Sequence, residues 1–364
     1  MMRKKQQGDC MKANAMMTEP NQFPTQIETV DELEEWLSKP APGVSETLAR
    51  REGDILILGV GGKMGPTLAR MAKRASEAAG VPRKVIGVAR FSEPGLREKL
   101  ERHGVETIAA DLLNRAVLDQ LPDAPNVIFM AGRKFGSTGQ EWLTWAMNVY
   151  LPGLVAERFR NARIVVFSTG NVYPLVPVES GGAQESDPPG PVGEYAQSCL
   201  GRERIFEHFS HQYGTPVLIA RLNYAVETRY GILLDVAQKV WAGIPIPLAM
   251  GYVNVIWQGD ANGWMLRCLD HCQCPPAVLN ITGNQTLSIR LLAKAFGERF
   301  GREPVFAGEE SPTALLSNAS RAAGLFGPPQ VTVEQVAEWV AHWIERGGPT
   351  YNKPTHYEAR DGRF

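Results

Sequence analysis

The stretch that most restricts the fold is "DILILGVGGKMGPTLARM", which begins at Asp54. It opens with a short apolar run, read as a buried strand, and continues after Gly65 as a helix. Gly59, Gly62 and Gly65 stand between the two. Gly59 allows the tight turn, Gly62 lets the backbone come close to a bound group, and Gly65 lets helix and strand pack closely. A strand that passes directly into a helix begins a βαβ series, and such a series builds a parallel sheet covered by helices on both faces.

The series continues along the chain. "KVIGVAR", "VETIAAD", "NVIFMAG", "ARIVVFST" and "PVLIARL" are further strands. Helical stretches at "GLREKLERHG", "GQEWLTWAMNVYLPGLVAERFR" and around Tyr195 alternate with them. The fold class is therefore α/β, a doubly wound parallel sheet spanning residues 54–224. From 225 to 348 the pattern changes to scattered helices and short extended pieces, read as a smaller, partly interleaved C-terminal region that closes with the helix "TVEQVAEWVAHWIERGG". Residues 349–364 are a tail. Residues 1–24 are polar and aperiodic, which predicts disorder. Residues 25–53 form a helical extension: Thr29 and Glu32 make a capping box, Pro40 follows the first helix, and "SETLARR" makes a second. Both are expected on the outside of the main domain.

Composition excludes several classes. The formal net charge is -1 over 364 residues, so no basic field invites nucleic acid or anionic lipid. No apolar run approaches the ~20 residues needed to span a bilayer. The N-terminus has basic residues without a following apolar core and is not a secretory signal. Five cysteines are an odd number in a large chain and read as free thiols in a reducing, cytoplasmic setting. "CLDHCQC", with Cys268, His271, Cys272 and Cys274, matches no closed four-ligand zinc pattern, so no metal is expected.

In its strand–turn–helix context, the GxxGxxG run is a dinucleotide fingerprint, with Lys63 and Met64 inside it. The second strand ends in Ala89 and Arg90 rather than in an acidic residue that would hold the ribose 2′-hydroxyl of NAD. A guanidinium there suits a 2′-phosphate, which favours NADP over NAD. Asp111, after the third strand, can reach the adenine amino group or cap the next helix.

With these parts in order, the chain resembles the extended short-chain dehydrogenase/reductase superfamily, in its NAD(P)-dependent epimerase/dehydratase branch, over about residues 54–345. "ADL" with Asp111 and Leu112, "MAG" with Ala131 and Gly132, "MNVYLPG" with Asn148, "VFSTGNVYP" and "YAQSCLGRE" carry the resemblance. It implies a Rossmann-type fold with a substrate-binding C-terminal region. It implies Thr169 as hydrogen-bond donor to the substrate oxygen and Tyr195 as general acid/base, with Asn171 and Asn223 in substrate contact. It also implies a homodimer formed through the two long helices, and a sugar or nucleotide sugar as substrate.

The family frame YxxxKxxxE is met at Tyr195 and Glu203, but Cys199 stands at the lysine. A free tyrosine, with a pKa of about 10, is a poor base at neutral pH. A neutral thiol cannot lower that value. Three readings remain open: another cation substitutes (Lys134, Arg133 or Arg202); the oxidised nicotinamide suffices; or the protein binds cofactor without turnover, as a regulatory protein. Reduction of a non-sugar carbonyl compound is a further alternative. "ARLNYAVETRYG" retains Arg221 and Asn223 at altered spacing, so substrate contacts there are open as well.

Overall fold

The computed structural model describes residues 23–134, 136 and 139–363. The expected disorder of residues 1–24 lies, up to residue 22, outside the described residues.

Seven parallel strands form the central sheet: β1 (Ile55–Leu58), β2 (Val85–Ala89), β3 (Glu106–Ala109), β4 (Asn126–Phe129), β5 (Arg163–Thr169), β6 (Val217–Leu222) and β7 (Ala277–Ile281), in the order β7-β6-β5-β4-β1-β2-β3. Strand order reverses beside β1, where Leu58 lies next to Val88 of β2 and Phe129 of β4. A ligand crevice opens at such a reversal, beyond the carboxyl ends of the strands. β1 and β4 are buried along their whole length, which is why they read as continuous apolar runs rather than alternating ones. β7 comes from beyond residue 225, so the C-terminal part of the chain completes the sheet.

The two faces carry separate cores. On one, Ile55, Ile57, Ile128 and Val165 pack with Leu68 and Ala72 of a glycine-led helix, Gly65–Ala78. On the other, Leu56, Leu58, Val127 and Val166 pack with Leu151, Val155 and Phe206. A third core, around Trp257, Trp339 and Trp343, belongs to the C-terminal region. Val44 and Leu48 of the helix Val44–Arg50 join the sheet's first core, as expected for the outside of the main domain. Leu33 and Leu37 of the helix Val30–Leu37 instead enter the C-terminal core, and Trp339 donates its indole N–H to the Pro24 carbonyl at 3.0 Å.

One long expected helix is interrupted. Residues Glu141–Trp145 and Leu151–Arg158 are α-helical, but Ala146–Tyr150 form a π turn. A π turn shifts the side chains that follow around the axis, and such turns gather at functional sites. This one carries Asn148.

Candidate active site

The glycine loop fits the tasks expected of it. Gly59 has φ +95°, and a Cβ there would strike the backbone of Ala131. A Cβ on Gly65 would strike the Val60 carbonyl. Gly62 differs: a Cβ would meet nothing nearer than the Gly59 carbonyl at 3.6 Å. The protein alone therefore does not require glycine at 62, whereas a pyrophosphate lying against the backbone does.

A cleft of about 430 Å³ lies over this loop. Gly59, Gly62, Arg90, Asp111, Leu112, Ala131 and Gly132, all named from the sequence as dinucleotide contacts, line this one cleft. Arg90 is exposed on its wall. Asp111 accepts from the backbone N–H of Leu113 at 3.1 Å, and Asn114 holds the N-cap position of the next helix, so Asp111 closes a turn and is not the helix cap. Gly65 lies buried beneath the loop.

Lys63 and Met64 do not line this cleft. They face a second cavity, about 170 Å³, with Thr169, Asn171, Tyr195 and Asn223. Lys63 turns there because its ammonium donates to the Ala225 carbonyl at 2.8 Å and lies 4.3 Å from the Tyr230 ring centre. Burial around that ammonium pulls its pKa down to about 7.

Thr169 ends β5 beside Leu222 of β6. Its hydroxyl accepts from the Asn171 backbone and side-chain amides at 3.2 and 3.0 Å. Tyr195 sits in the first turn of the helix Gly193–Tyr213, and its hydroxyl is hydrogen-bonded to both Thr169 and Cys199. Burial raises the Tyr195 pKa well above its ordinary value; Cys199 adds to this, while Arg202 and Thr169 oppose it. Cys199 is fully buried against Val172, Tyr173 and Ala183, and burial raises its thiol pKa too. It is neutral at physiological pH.

The three candidate substitutes for the lysine part company. Arg133 donates to the Gly136 carbonyl at 2.8 Å and to Gln140 at 2.6 Å. Arg202 is buried behind Cys199, donating to the Phe167 carbonyl at 2.7 Å and to the Asn148 side-chain oxygen at 2.8 Å. Lys134 lies 5.9 Å from the centre of the Tyr195 ring and donates to the Thr355 carbonyl at 3.3 Å. Burial lowers the Lys134 pKa to about 8, with Cys199 and Asp235 resisting.

Asn148 is buried in the π turn. It accepts from the Arg133 backbone N–H at 2.8 Å and donates to Ser198 Oγ at 2.9 Å. It thus ties the end of β4 to the Tyr195 helix, beneath the cleft. Asn223 is buried and donates to Asn254 at 2.8 Å. Glu203, which closes the YxxxCxxxE frame, forms a buried bidentate pair with Arg221 at 2.7 and 3.0 Å and accepts from Ser168 at 2.5 Å. Arg221 also donates to Tyr173 at 2.7 Å. This network braces β5, β6 and the Tyr195 helix, and it accounts for Arg221 without a substrate.

The tail supplies residues that no sequence signal marked. Lys353 lines the dinucleotide cleft and Thr355 the second cavity. Thr355 donates its N–H and hydroxyl to Asp235 at 2.8 and 2.6 Å.

Residues 55–226 match the profile of the NAD dependent epimerase/dehydratase family. No curated protein matches the chain in sequence. Among solved structures it is similar to UDP-glucose 4-epimerase of Thermotoga maritima, at 16% identity and TM-score 0.65, covering 81% of this chain and 99% of that one. UDP-glucuronic acid 4-epimerase of Bacillus cereus is similar at 18% identity and TM-score 0.67, covering 80% and 99%. dTDP-glucose 4,6-dehydratase of Bacillus anthracis gives 17% and 0.67, covering 81% and 97%. At these identities the structural likeness shows the fold. The matched segment, 55–226, holds the glycine loop, Thr169 and Tyr195, so the residues that carry the resemblance and the profile match coincide.

Proposed function

We propose that the protein is an NAD(P)-dependent epimerase, dehydratase or dehydrogenase acting on a hydroxyl or ketone of a sugar nucleotide. The observation that carries this reading is the hydrogen-bonded pair of hydroxyls, Tyr195 and Thr169, at the second cavity, with the glycine loop forming a wall of both that cavity and the dinucleotide cleft. The structural neighbours named above act on UDP-glucose, UDP-glucuronic acid and dTDP-glucose, which supports a nucleotide sugar. A nicotinamide bound along the cleft would take or give the hydride. Thr169 would orient the substrate oxygen by hydrogen bonding, and Tyr195 would move that oxygen's proton. With its pKa held high, Tyr195 keeps its proton at neutral pH and suits the acid role, in the direction of ketone reduction. Arg90, exposed on the cleft wall, supports NADP, whereas the cofactor named with the neighbours is NAD.

Absorbance at 340 nm of cofactor released from the purified protein, together with turnover of UDP- and dTDP-sugars, tests the reading. Tyr195→Phe should abolish turnover and leave cofactor bound. Bound cofactor with no turnover of any nucleotide sugar would instead support a regulatory protein. Calorimetry with both dinucleotides tests Arg90, since Arg90→Ala should weaken NADP and spare NAD.

Association and location belong to the same proposal. Trp142 and Tyr150 are 72% and 58% exposed on the segment around the π turn, packed beside the Tyr195 helix. Aromatic surface of this size on a segment packed beside the Tyr195 helix supports an isologous homodimer. Among the described residues Cys199, Cys268, Cys272 and Cys274 are free, which supports a reducing, cytoplasmic setting. Among the described residues no helix is long and apolar enough to cross a membrane.

A further inference from the structure

The last residues of the chain are pinned across the site rather than trailing from it. Tyr351 donates its N–H to the Arg229 carbonyl at 3.2 Å, and its ring centre lies 4.8 Å from the Arg229 guanidinium. Four residues on, Thr355 is buried, gives its N–H and hydroxyl to Asp235, and accepts from Lys134 on its carbonyl. Asn352 and His356 turn the backbone on either side, at φ +51° and +54°. Asparagine and histidine enter that left-handed region more readily than most residues. Pro354 fixes its own φ and narrows the conformations open to Lys353. Lys353 is therefore an exposed side chain on a backbone held at both sides.

That backbone sets where Lys353 reaches. Thr355 lines the cavity that holds Lys63 of the glycine loop, whereas Lys353 lines the dinucleotide cleft. The tail thus passes from one to the other alongside the loop that walls both. The loop's own lysine, Lys63, turns away from the cleft to the Ala225 carbonyl. Among the described residues lining the cleft, the cations are Arg90 and Lys353 and the acids are Glu93 and Asp111. Arg90 follows β2, at the end that meets the adenosine ribose. Glu93 acts on the Tyr351 phenol, and Asp111 closes its turn with Leu113. Lys353 also borders a surface hollow with Arg229 and Asp235, and Glu358 acts on Asp235 from the tail itself. A pyrophosphate against Gly62 would meet backbone N–H groups and the start of the helix Gly65–Ala78, which suit its negative charge.

We propose that Lys353 is a cofactor-binding residue, its ammonium contacting the pyrophosphate that the glycine loop cradles. The proposal rests on the reading of that cleft as a dinucleotide site. It supplies the phosphates with a cation from the far end of the chain, in place of the loop lysine that faces the other way. A charge-assisted hydrogen bond of this kind contributes about tenfold in affinity.

Calorimetry of the full-length protein with NAD, NADP and inorganic pyrophosphate tests this. Lys353→Met should weaken NAD and NADP alike, each about tenfold, since both carry the pyrophosphate. Lys353→Arg should keep most of the affinity, because a guanidinium also donates to phosphate. The melting temperature of the cofactor-free protein should be the same in all three forms, since the side chain is exposed. Unchanged affinity for both dinucleotides in Lys353→Met would overturn the proposal and leave the dinucleotide reading standing. A loss confined to NADP would overturn it too, placing Lys353 beside Arg90 at the 2′-phosphate. If neither dinucleotide binds the unmodified protein, yet pyrophosphate binds and Lys353→Met weakens it, the dinucleotide reading fails and the phosphate contact stands. If Lys353→Met leaves pyrophosphate binding unchanged as well, both fail.

Discussion

The hydroxyl of Tyr195 is hydrogen-bonded to Cys199, one helical turn away on the same face of the same helix. A phenol paired with a buried thiol gains nothing for its anion. The thiol brings no positive charge to stabilise a phenolate, and burial raises the pKa of both groups. The pH behaviour of the site follows from this pair.

In the direction that needs Tyr195 as a base, the rate should rise about tenfold per pH unit through pH 8–10, with no plateau below. In the opposite direction, where the phenol donates its proton, the rate should stay flat across that range. Steady-state rates in both directions check this; a base-direction plateau near pH 7 would show that some cation already depresses Tyr195.

Replacing Cys199 by lysine should destabilise the fold by about 3 kcal/mol, because the acid that acts there, Glu203, is already paired with Arg221. Arg202 and Lys134, both close enough to act on Cys199, would repel it. The variant's melting temperature should fall, while its base-direction profile should move to lower pH. An unchanged melting temperature would mean that Val172, Tyr173 and Ala183 yield easily to the longer chain.

Two glycines should separate structure from binding. Gly65→Ala should cost roughly 1–3 kcal/mol, since its Cβ meets the Val60 carbonyl. Gly62→Ala has room, so unfolding should be unchanged within about 0.5 kcal/mol while dinucleotide affinity falls about tenfold. Equal dinucleotide affinity in Gly62→Ala would remove the pyrophosphate from that position.

Lys63 has its pKa lowered to about 7 in the folded chain, against about 10.4 when unfolded. Between these values the unfolded state binds the extra proton, so stability rises with pH through the window from about 7 to 10. The slope from this residue is at most ~1.4 kcal/mol per pH unit and is reduced by water reaching a half-buried side chain. Lys63→Met should remove that rise and be the more stable protein at pH 7. Denaturant midpoints of the two proteins at pH 7 and 9 decide it, and parallel pH dependences would place the ammonium in water.

Light scattering at micromolar concentration should give twice the 40.0 kDa chain mass. Trp142→Glu should return the protein to a single chain without loss of secondary structure, since that ring is exposed within one subunit. A single-chain mass for the unmodified protein would sink the dimer.

The sheet was legible because β1, β4 and β5 are apolar runs between helix signals, a pattern that long-range packing did not override. The glycine loop was legible because Gly59 and Gly65 answer local backbone needs. Lys63 was not, since the loop says nothing of where its side chain turns. That direction is set by Ala225 and Tyr230, more than 160 residues away. Nor was the π turn, where Asn148 is held by Arg133, Ser198 and Arg202, contacts distant in sequence. The tail has no period to read, for its role is carried by individual hydrogen bonds.

Those bonds bear on the order in which the site is made. Glycine loop, Thr169, Tyr195 and all seven strands are present in a nascent chain that has reached residue 348, and a domain of this kind folds as it emerges. Lys134 then still lacks the Thr355 carbonyl, and the Arg360 guanidinium has yet to tie Thr313 at 2.7 Å. Gly362 has yet to reach Gly193, at the head of the Tyr195 helix. Assembly of the sheet and maturation of the pocket are therefore separate events in synthesis, and a ribosome that stalls between them leaves an assembled sheet with an unfinished pocket.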